Sequence, residues 1–167
     1  MKLTIAAALI CAAGGANALS CIPPDPAASF QRAAEAEDSY AVLFGTFRFD
    51  PIDLPGMEQT NDPNYRPPSA VARFSGQGLG AAGFASTSDR SVTIQPLCFG
   101  PWCGNMTPDL PTLAFVKVGP DGGYTVEADP CGGWVFPDPS PEMIRAVEAC
   151  MRGEACEPDF NPRRRGN

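Results

Sequence analysis

Histidine is absent from this chain of 167 residues. Its absence excludes a Ser-His-Asp triad, a Cys-His dyad, a zinc finger of the Cys-His type and an imidazole general base. Positive charge is also scarce, because 12 Lys and Arg stand against 19 Asp and Glu. Since binding to nucleic-acid phosphates requires a basic surface, this composition argues against a nucleic-acid partner.

Long apolar runs are missing as well. The best candidate, residues 3–13, is shorter than the roughly 20 residues that a membrane-spanning helix needs. It follows Met1-Lys2 and precedes small residues that end in Ala16-Asn17-Ala18, a pattern that predicts a signal peptide over residues 1–18. We therefore expect a secreted or periplasmic protein. In the alternative, cleavage follows Ser20 and a lipid on Cys21 holds the protein at a membrane, because residues 18–21 loosely resemble a lipoprotein signal.

Cysteine, by contrast, is abundant. Seven are present, and Cys11 would leave with the signal peptide. An even number of cysteines in an exported chain predicts a disulfide framework. No spacing gives the paired Cys-x-x-Cys knuckles of a zinc site, so we expect no bound metal. Three disulfides are predicted among the remaining six: Cys21, Cys98, Cys103, Cys131, Cys150 and Cys156.

The pattern of short segments predicts a mainly β protein. Proline makes up 19 of the 167 residues, about twice the roughly 5% of average usage, which disfavours a helical bundle. One short helix is predicted from Pro26, capped by Asp25, and a second from Pro141, capped by Ser140. Between them we expect about five strands, and hence a small closed β-barrel, at residues 40–49, 70–75, 92–97, 112–118 and 124–128.

Three local features are less regular. Val42 and Phe44 alternate on one parity and Phe47 on the other, which predicts a β-bulge at Gly45. Residues 76–83 are interpreted as a glycine-rich bend, residues 50–68 as a loop, and the tail from Glu157 as frayed.

The segment after the signal peptide carries a more specific pattern. Cys21, Pro23, Pro24, Pro26 and Phe30 stand in register with the opening Cys-x-Cys-hydrophobic-Pro-Pro-x-Pro of the tissue inhibitors of metalloproteinases, which have Phe four residues on. The likeness continues at residues 40–46, 102–104, 113–115 and 121–124 and at Cys131, and covers roughly 70 of about 149 mature residues. The chain thus resembles this netrin-like family, although residues 51–97 and the region beyond Phe136 show no likeness.

This resemblance implies a fold and a set of disulfides. The family fold is a five-stranded oligonucleotide/oligosaccharide-binding (OB) barrel, expected here over residues 19–136, with a C-terminal helix and polar tail over residues 137–167. Carried over, the family pairing joins Cys21 to Cys131. A Cys98–Cys103 bridge would replace the family bond whose first cysteine is Leu19 here, which leaves Cys150–Cys156. The rival assignment is Cys21–Cys103 with Cys98–Cys131.

The functional expectation is a binding module without catalytic residues or a cofactor, whose partner is a protein. The alternative, implied by the resemblance, is an inhibitor that clasps the zinc of an extracellular metalloprotease through its mature N-terminus. The candidate binding residues are then Leu19, Ser20, Cys21 and Ile22. Against inhibition, two residues precede the anchored Cys21, and ordering each costs about 1–2 kcal/mol. Aromatic residues near the cysteines are interpreted either as core or as a binding rim: Phe99, Trp102, Trp134 and Phe136.

Overall fold

A computed structural model describes residues 19–54 and 65–160. The predicted signal peptide, part of the predicted loop and the basic run at residues 163–165 lie outside the described residues. In chain order the elements are α1 (Pro26–Glu35), β1 (Ser39–Arg48), a short 3-10 turn (Pro51–Asp53), β2 (Ala70–Gly80), β3 (Gly83–Pro96), β4 (Cys98–Phe99), β5 (Trp102–Cys103), β6 (Pro111–Val118), β7 (Tyr124–Ala128), β8 (Val135–Pro137) and α2 (Pro141–Met151).

Five strands close into a barrel in the order β1-β2-β3-β7-β6, with β6 pairing back onto β1. The β3–β7 junction is parallel, and the other four are antiparallel. The predicted closed five-stranded barrel of the OB type, with a short helix near each end, is therefore confirmed. The short strand β8 adds to β6 beside the barrel, where Leu113 faces Phe136. Strands β4 and β5 form a separate hairpin.

The barrel interior is filled by one apolar cluster from all five strands. Phe47 and Phe74 lie at its centre, fully buried, with ring centroids 4.9 Å apart. Val92, Ile94 and Val126 are also fully buried in it. Burial of apolar surface is the main favourable contribution to folding, so this cluster is the principal source of stability.

A second apolar cluster lies outside the barrel, between its wall and the two helices. It combines Val42, Leu113, Phe115, Phe136 and Val147. This cluster explains why the predicted bulge at Gly45 is wrong: β1 pairs without a register shift through Gly45 on both of its sides. Ala41, Leu43 and Phe47 pack inside the barrel, and Tyr40, Val42 and Phe44 pack under the helices, so both faces of the strand are apolar along most of its length.

Glycines let β1 and β2 approach each other closely. Gly45 lies opposite Gly76, and a Cβ atom on either would overlap the main chain of the other strand. The predicted bend over residues 76–83 is accordingly wrong in its extent, because β2 continues to Gly80 and the chain turns only at residues 81–82. Gly83 adopts a φ of 80°, which favours glycine at the start of β3.

Both predicted helices begin where their caps indicate. The Asp25 carboxylate accepts hydrogen bonds from the main-chain N–H groups of Ala27 and Ala28. The Ser140 hydroxyl accepts one from Met143 N–H, and Gly153, with a φ of 73°, follows the end of α2. The predicted division at residue 136 falls inside β8, and α2 packs on the same outer cluster as α1.

The three disulfides join Cys21 to Cys131, Cys98 to Cys103 and Cys150 to Cys156, the pairing that the resemblance implies. The last of them turns the chain back toward α1, where the Gln31 side-chain amide donates a hydrogen bond to the Cys156 carbonyl. Asp159 N–H then donates to the Asp25 carboxylate. The segment 156–160 is therefore held against the start of the chain, and the prediction that it frays is wrong as far as Phe160.

Candidate functional site

The four candidate binding residues form an exposed segment at the start of the described chain. Leu19 is 37% exposed and Ile22 is 77% exposed, and Ser20 and Cys21 are exposed between them. The Cys21–Cys131 disulfide ties this segment to the loop that follows β7. Pro23 and Pro24 then lead into α1, and their ring-locked φ angles limit the motion of the segment. Leu19 and Ile22 are thus exposed to solvent on a backbone whose motion is restricted.

A cleft of about 620 Å³ opens on one side of this segment. Separate parts of the chain line it, among them Ile22 from the N-terminal segment, Arg32 from α1, Phe99 from the β4–β5 hairpin, Asp129 and Trp134 from the loop after β7, and Phe160 from the C-terminal segment. We call it the N-terminal cleft. Ligand sites commonly have volumes of roughly 300–1,000 Å³, so its size is suited to a side chain or a short peptide.

A second cleft of about 400 Å³ lies on the other side of the same segment. Leu19, Trp102 and Asn105 line it together with four prolines, Pro24, Pro101, Pro130 and Pro137, and we call it the proline cleft. Asp129, Cys131 and Gly132 line both clefts. The wall between the clefts therefore contains the Cys21–Cys131 bridge and one carboxylate.

The β4–β5 hairpin contributes one aromatic residue to each cleft. Cys98 and Cys103 are register partners across the hairpin and are joined by their disulfide, and Phe99 faces Trp102 one step further. At the base of the hairpin, Leu97 N–H donates to the Ala128 carbonyl and Gly104 N–H donates to the Leu97 carbonyl. Phe99 lines the N-terminal cleft and Trp102 lines the proline cleft. The disulfide-closed hairpin thus fixes one aromatic side chain, Phe99 or Trp102, in the wall of each cleft.

Trp134 connects the N-terminal cleft to the outer cluster. Its ring stacks on Tyr40 with centroids 4.8 Å apart, and the Arg32 guanidinium lies 3.8 Å from its centroid. Arg32 also donates a hydrogen bond to the Gly133 carbonyl at 3.1 Å. The cation beside this cleft is therefore already engaged by an aromatic face and a main-chain oxygen.

Asp129 is the carboxylate in the shared wall. Burial raises the pKa of this carboxyl above its ordinary value, although the main-chain N–H of Cys131, 2.9 Å from Oδ1, and the charge on Arg32 favour the ionised form. Among the described residues, no Lys or Arg forms an ion pair with it. A partly buried carboxylate beside apolar walls is a favourable counter-charge for a cation brought by a partner.

The aromatic residues near the cysteines divide between the two interpretations that the sequence left open. Phe99 is 49% exposed, and Trp102 and Trp134 are partly exposed on cleft walls. Phe136 alone is buried, in the outer cluster. Sequence reasoning missed Asp129 and Phe160 as parts of the site. The one signal for Phe160 was its position four residues after Cys156, which restricts where the tail can go.

The described residues offer little for other kinds of site. They contain no group of three Cys, Asp and Glu side chains placed to hold a metal ion. Within residues 19–54 and 65–160, neither helix is long and apolar enough to cross a membrane. Comparisons with protein-family models, with curated proteins and with solved structures found no match. The two clefts and the segment beside them are therefore the features of this chain that bear on its function.

Proposed function

We propose that this protein is an exported binding module that recognises a protein partner through the surface around its N-terminal segment. The distribution of exposed apolar side chains carries the proposal. Among the described residues six large apolar side chains are exposed, and Leu19, Ile22, Phe99 and Phe160 line the two clefts. The other two, Ile52 and Val71, line neither cleft. We call the four clustered residues the apolar face.

An exposed apolar cluster of this kind is typical of an interaction site. Burying such side chains against a partner removes apolar surface from water, and a few buried aromatic and aliphatic anchors usually supply most of the binding free energy. The disulfides reduce the entropy lost on binding, because they hold the N-terminal segment and the hairpin in place before the partner arrives.

The cross-links also support the cellular location. Three disulfides in a domain of this size are typical of an oxidising compartment outside the cytosol. We propose in addition that residues 1–18 are a signal peptide and that the mature protein is secreted or periplasmic. A lipid on Cys21 is not favoured, because a thioether-linked lipid would need the sulfur atom that bonds to Cys131.

The proposal is tested by partner capture with matched variants. Immobilised mature protein is incubated with the extracellular or periplasmic fraction of its source, and bound proteins are quantified by mass spectrometry. The double variant Ile22→Ser/Phe99→Ser should lose at least about tenfold of the captured partner, because it removes two anchors of the apolar face. The control Ile52→Ser/Val71→Ser should retain it, and equal capture by both variants would reject the surface.

Inhibition of a metalloprotease is the second candidate. The exposed N-terminal segment supports it, because Leu19 and Ser20 precede a cross-linked cysteine and are both exposed. N-terminal sequencing of the mature protein decides whether Leu19 carries a free amine. Rates of a panel of zinc metalloproteases with and without the mature protein then test inhibition, and unchanged rates across the panel would reject it.

A further inference from the structure

We infer that the apolar face takes a partner segment in which a lysine or arginine stands beside apolar side chains, with the cation placed against Asp129. This inference rests on the proposed function and names the chemistry of the partner. It follows from three observations: the position of Asp129, the engagement of the nearby cations, and the net charge of the molecule.

Asp129 lies in the wall of both clefts, so a side chain bound in either cleft would contact it. It lines the N-terminal cleft together with Ile22, Phe99 and Phe160, and it lines the proline cleft together with Leu19. Oδ1 of its carboxylate accepts a hydrogen bond from Cys131 N–H, and the main-chain N–H of Gly132 also favours the ionised form. A carboxylate has about four acceptor sites in all, so it can accept further hydrogen bonds from an ammonium or guanidinium group.

Neither Arg32 nor Lys117 forms an ion pair with that carboxylate, although the charge on Arg32 favours its ionised form. Arg32, which also lines the N-terminal cleft, lies over the Trp134 ring and donates to the Gly133 carbonyl. Lys117 is held between Glu127 and Asp38 at 3.0 and 3.1 Å, and the hydrogen bond to Glu127 raises the pKa of its ammonium further above the ordinary value. The direct polar contacts of both cations are thus with groups other than Asp129.

The molecule as a whole carries a net negative charge, as Asp129 does. Residues 19–54 and 65–160 contain eight Lys and Arg against 17 Asp and Glu. An acidic surface raises the association rate of a cationic partner and disfavours an acidic one. The apolar side chains would then supply contact area, and Asp129 would select the charge of the partner.

The test uses three short peptides that differ at one position. Acetyl-Ala-Leu-Lys-Leu-Ala-amide is titrated into ¹⁵N-labelled mature protein, alongside peptides with norleucine or glutamate in place of lysine. The lysine peptide should shift the amide resonances of Ile22, Phe99 and Cys131 and bind about 3- to 10-fold more tightly than the norleucine peptide. Its advantage should shrink as salt is raised.

Two variants separate the local carboxylate from the general acidity. Asp129→Asn keeps an oxygen for the Cys131 N–H and should remove most of the preference for lysine. Asp89→Asn removes the same charge from an exposed position on β3 that lines neither cleft, and should leave the preference intact.

Three results would overturn the inference: equal binding of the lysine and norleucine peptides, equal effects of the two variants, or tighter binding of the glutamate peptide. The inference is also overturned if none of the three peptides binds. In each case the proposed function is decided separately, because partner capture by the Ile22 and Phe99 variants does not depend on the charge of the partner.

Discussion

The barrel interior and the apolar face are held in place by different forces. The interior consists of strands that pair continuously around a closed ring, and no cysteine belongs to its buried cluster. The apolar face is built from irregular segments, and its order comes from cross-links: Cys21–Cys131 and Cys98–Cys103 lie within it, and Cys150–Cys156 directs Phe160 toward it. The interior is thus held by packing, and the apolar face is held by covalent bonds.

This division has a physical reason. A binding surface must leave apolar side chains in water, so its segments cannot be stabilised by burying them. Disulfides avoid the conflict, because in the chain-entropy view they act mainly by restricting the unfolded chain. The comparison therefore predicts that both regions contribute to stability by different mechanisms, the interior through burial and the apolar face through its cross-links.

The largest effect is expected for the long-range cross-link. Cys21→Ser/Cys131→Ser removes a bridge with a sequence separation of 110 residues and should lower the free energy of unfolding by about 4–5 kcal/mol. Cys98→Ser/Cys103→Ser, with a separation of 5, should cost about half of that. Urea unfolding without reductant measures both. Equal costs would contradict the chain-entropy explanation.

A nearly equal loss of stability should follow from truncating a side chain in the barrel interior. Phe74→Ala removes a fully buried ring that packs against Phe47 and should cost about 3–5 kcal/mol. Val71→Ala on the same strand is the control, because Val71 is 67% exposed and its loss should change stability by about 0.5 kcal/mol or less. If Phe74→Ala left stability unchanged, the interior would not be the main source of stability.

An intermediate effect is expected at Arg32 and Trp134, where the N-terminal cleft meets the outer cluster. Arg32→Ala removes the cation from the Trp134 face and the hydrogen bond to Gly133, and should lower the free energy of unfolding by about 1 kcal/mol. Arg145→Ala removes an exposed arginine that pairs with Glu142 on α2, and should cost about 0.5 kcal/mol or less. Thermal unfolding of both variants makes the comparison, and equal shifts would show that the Trp134 stack contributes nothing.

The smallest effect on stability is expected for Asp129, and it depends on pH. Because burial raises the pKa of Asp129 in the folded state, the folded protein binds this proton more tightly than the unfolded chain does. Its contribution to stability therefore falls as pH rises from the unfolded pKa through the folded one. Asp129→Asn should raise stability slightly at pH 7, by less than Arg32→Ala lowers it, and the gain should vanish at pH 3. A gain that persists at pH 3 would exclude titration of Asp129 as its cause.

Local signals predicted much of this fold. The caps at Asp25 and Ser140, the alternation in β2 and the turn between β6 and β7 depend on neighbouring residues, and each appears where the sequence indicates. The disulfide pairing came from the family resemblance. The four candidate binding residues are exposed beside two clefts, as a binding segment requires, although their role is still a prediction.

The rest depends on contacts that a linear pattern does not contain. Apolar residues on both parities of β1 suggested a bulge at Gly45, because periodicity reports that a face is buried and does not report what covers it. Asp129 and Phe160 joined the site only through tertiary packing. The hydrogen bonds that bring segment 156–160 to α1 and to Asp25 link residues 125 and 134 positions apart.

The meeting of Leu19 and Phe160 at the same two-cleft surface has a practical consequence for how the protein is handled. A purification tag or fluorescent fusion attached at either of these positions would lie beside the apolar face and compete with a partner for it. The tight turn at residues 119–123 joins β6 to β7 and lines neither cleft. Labels inserted there, or a circular permutant opened there, would leave the surface accessible for measurement.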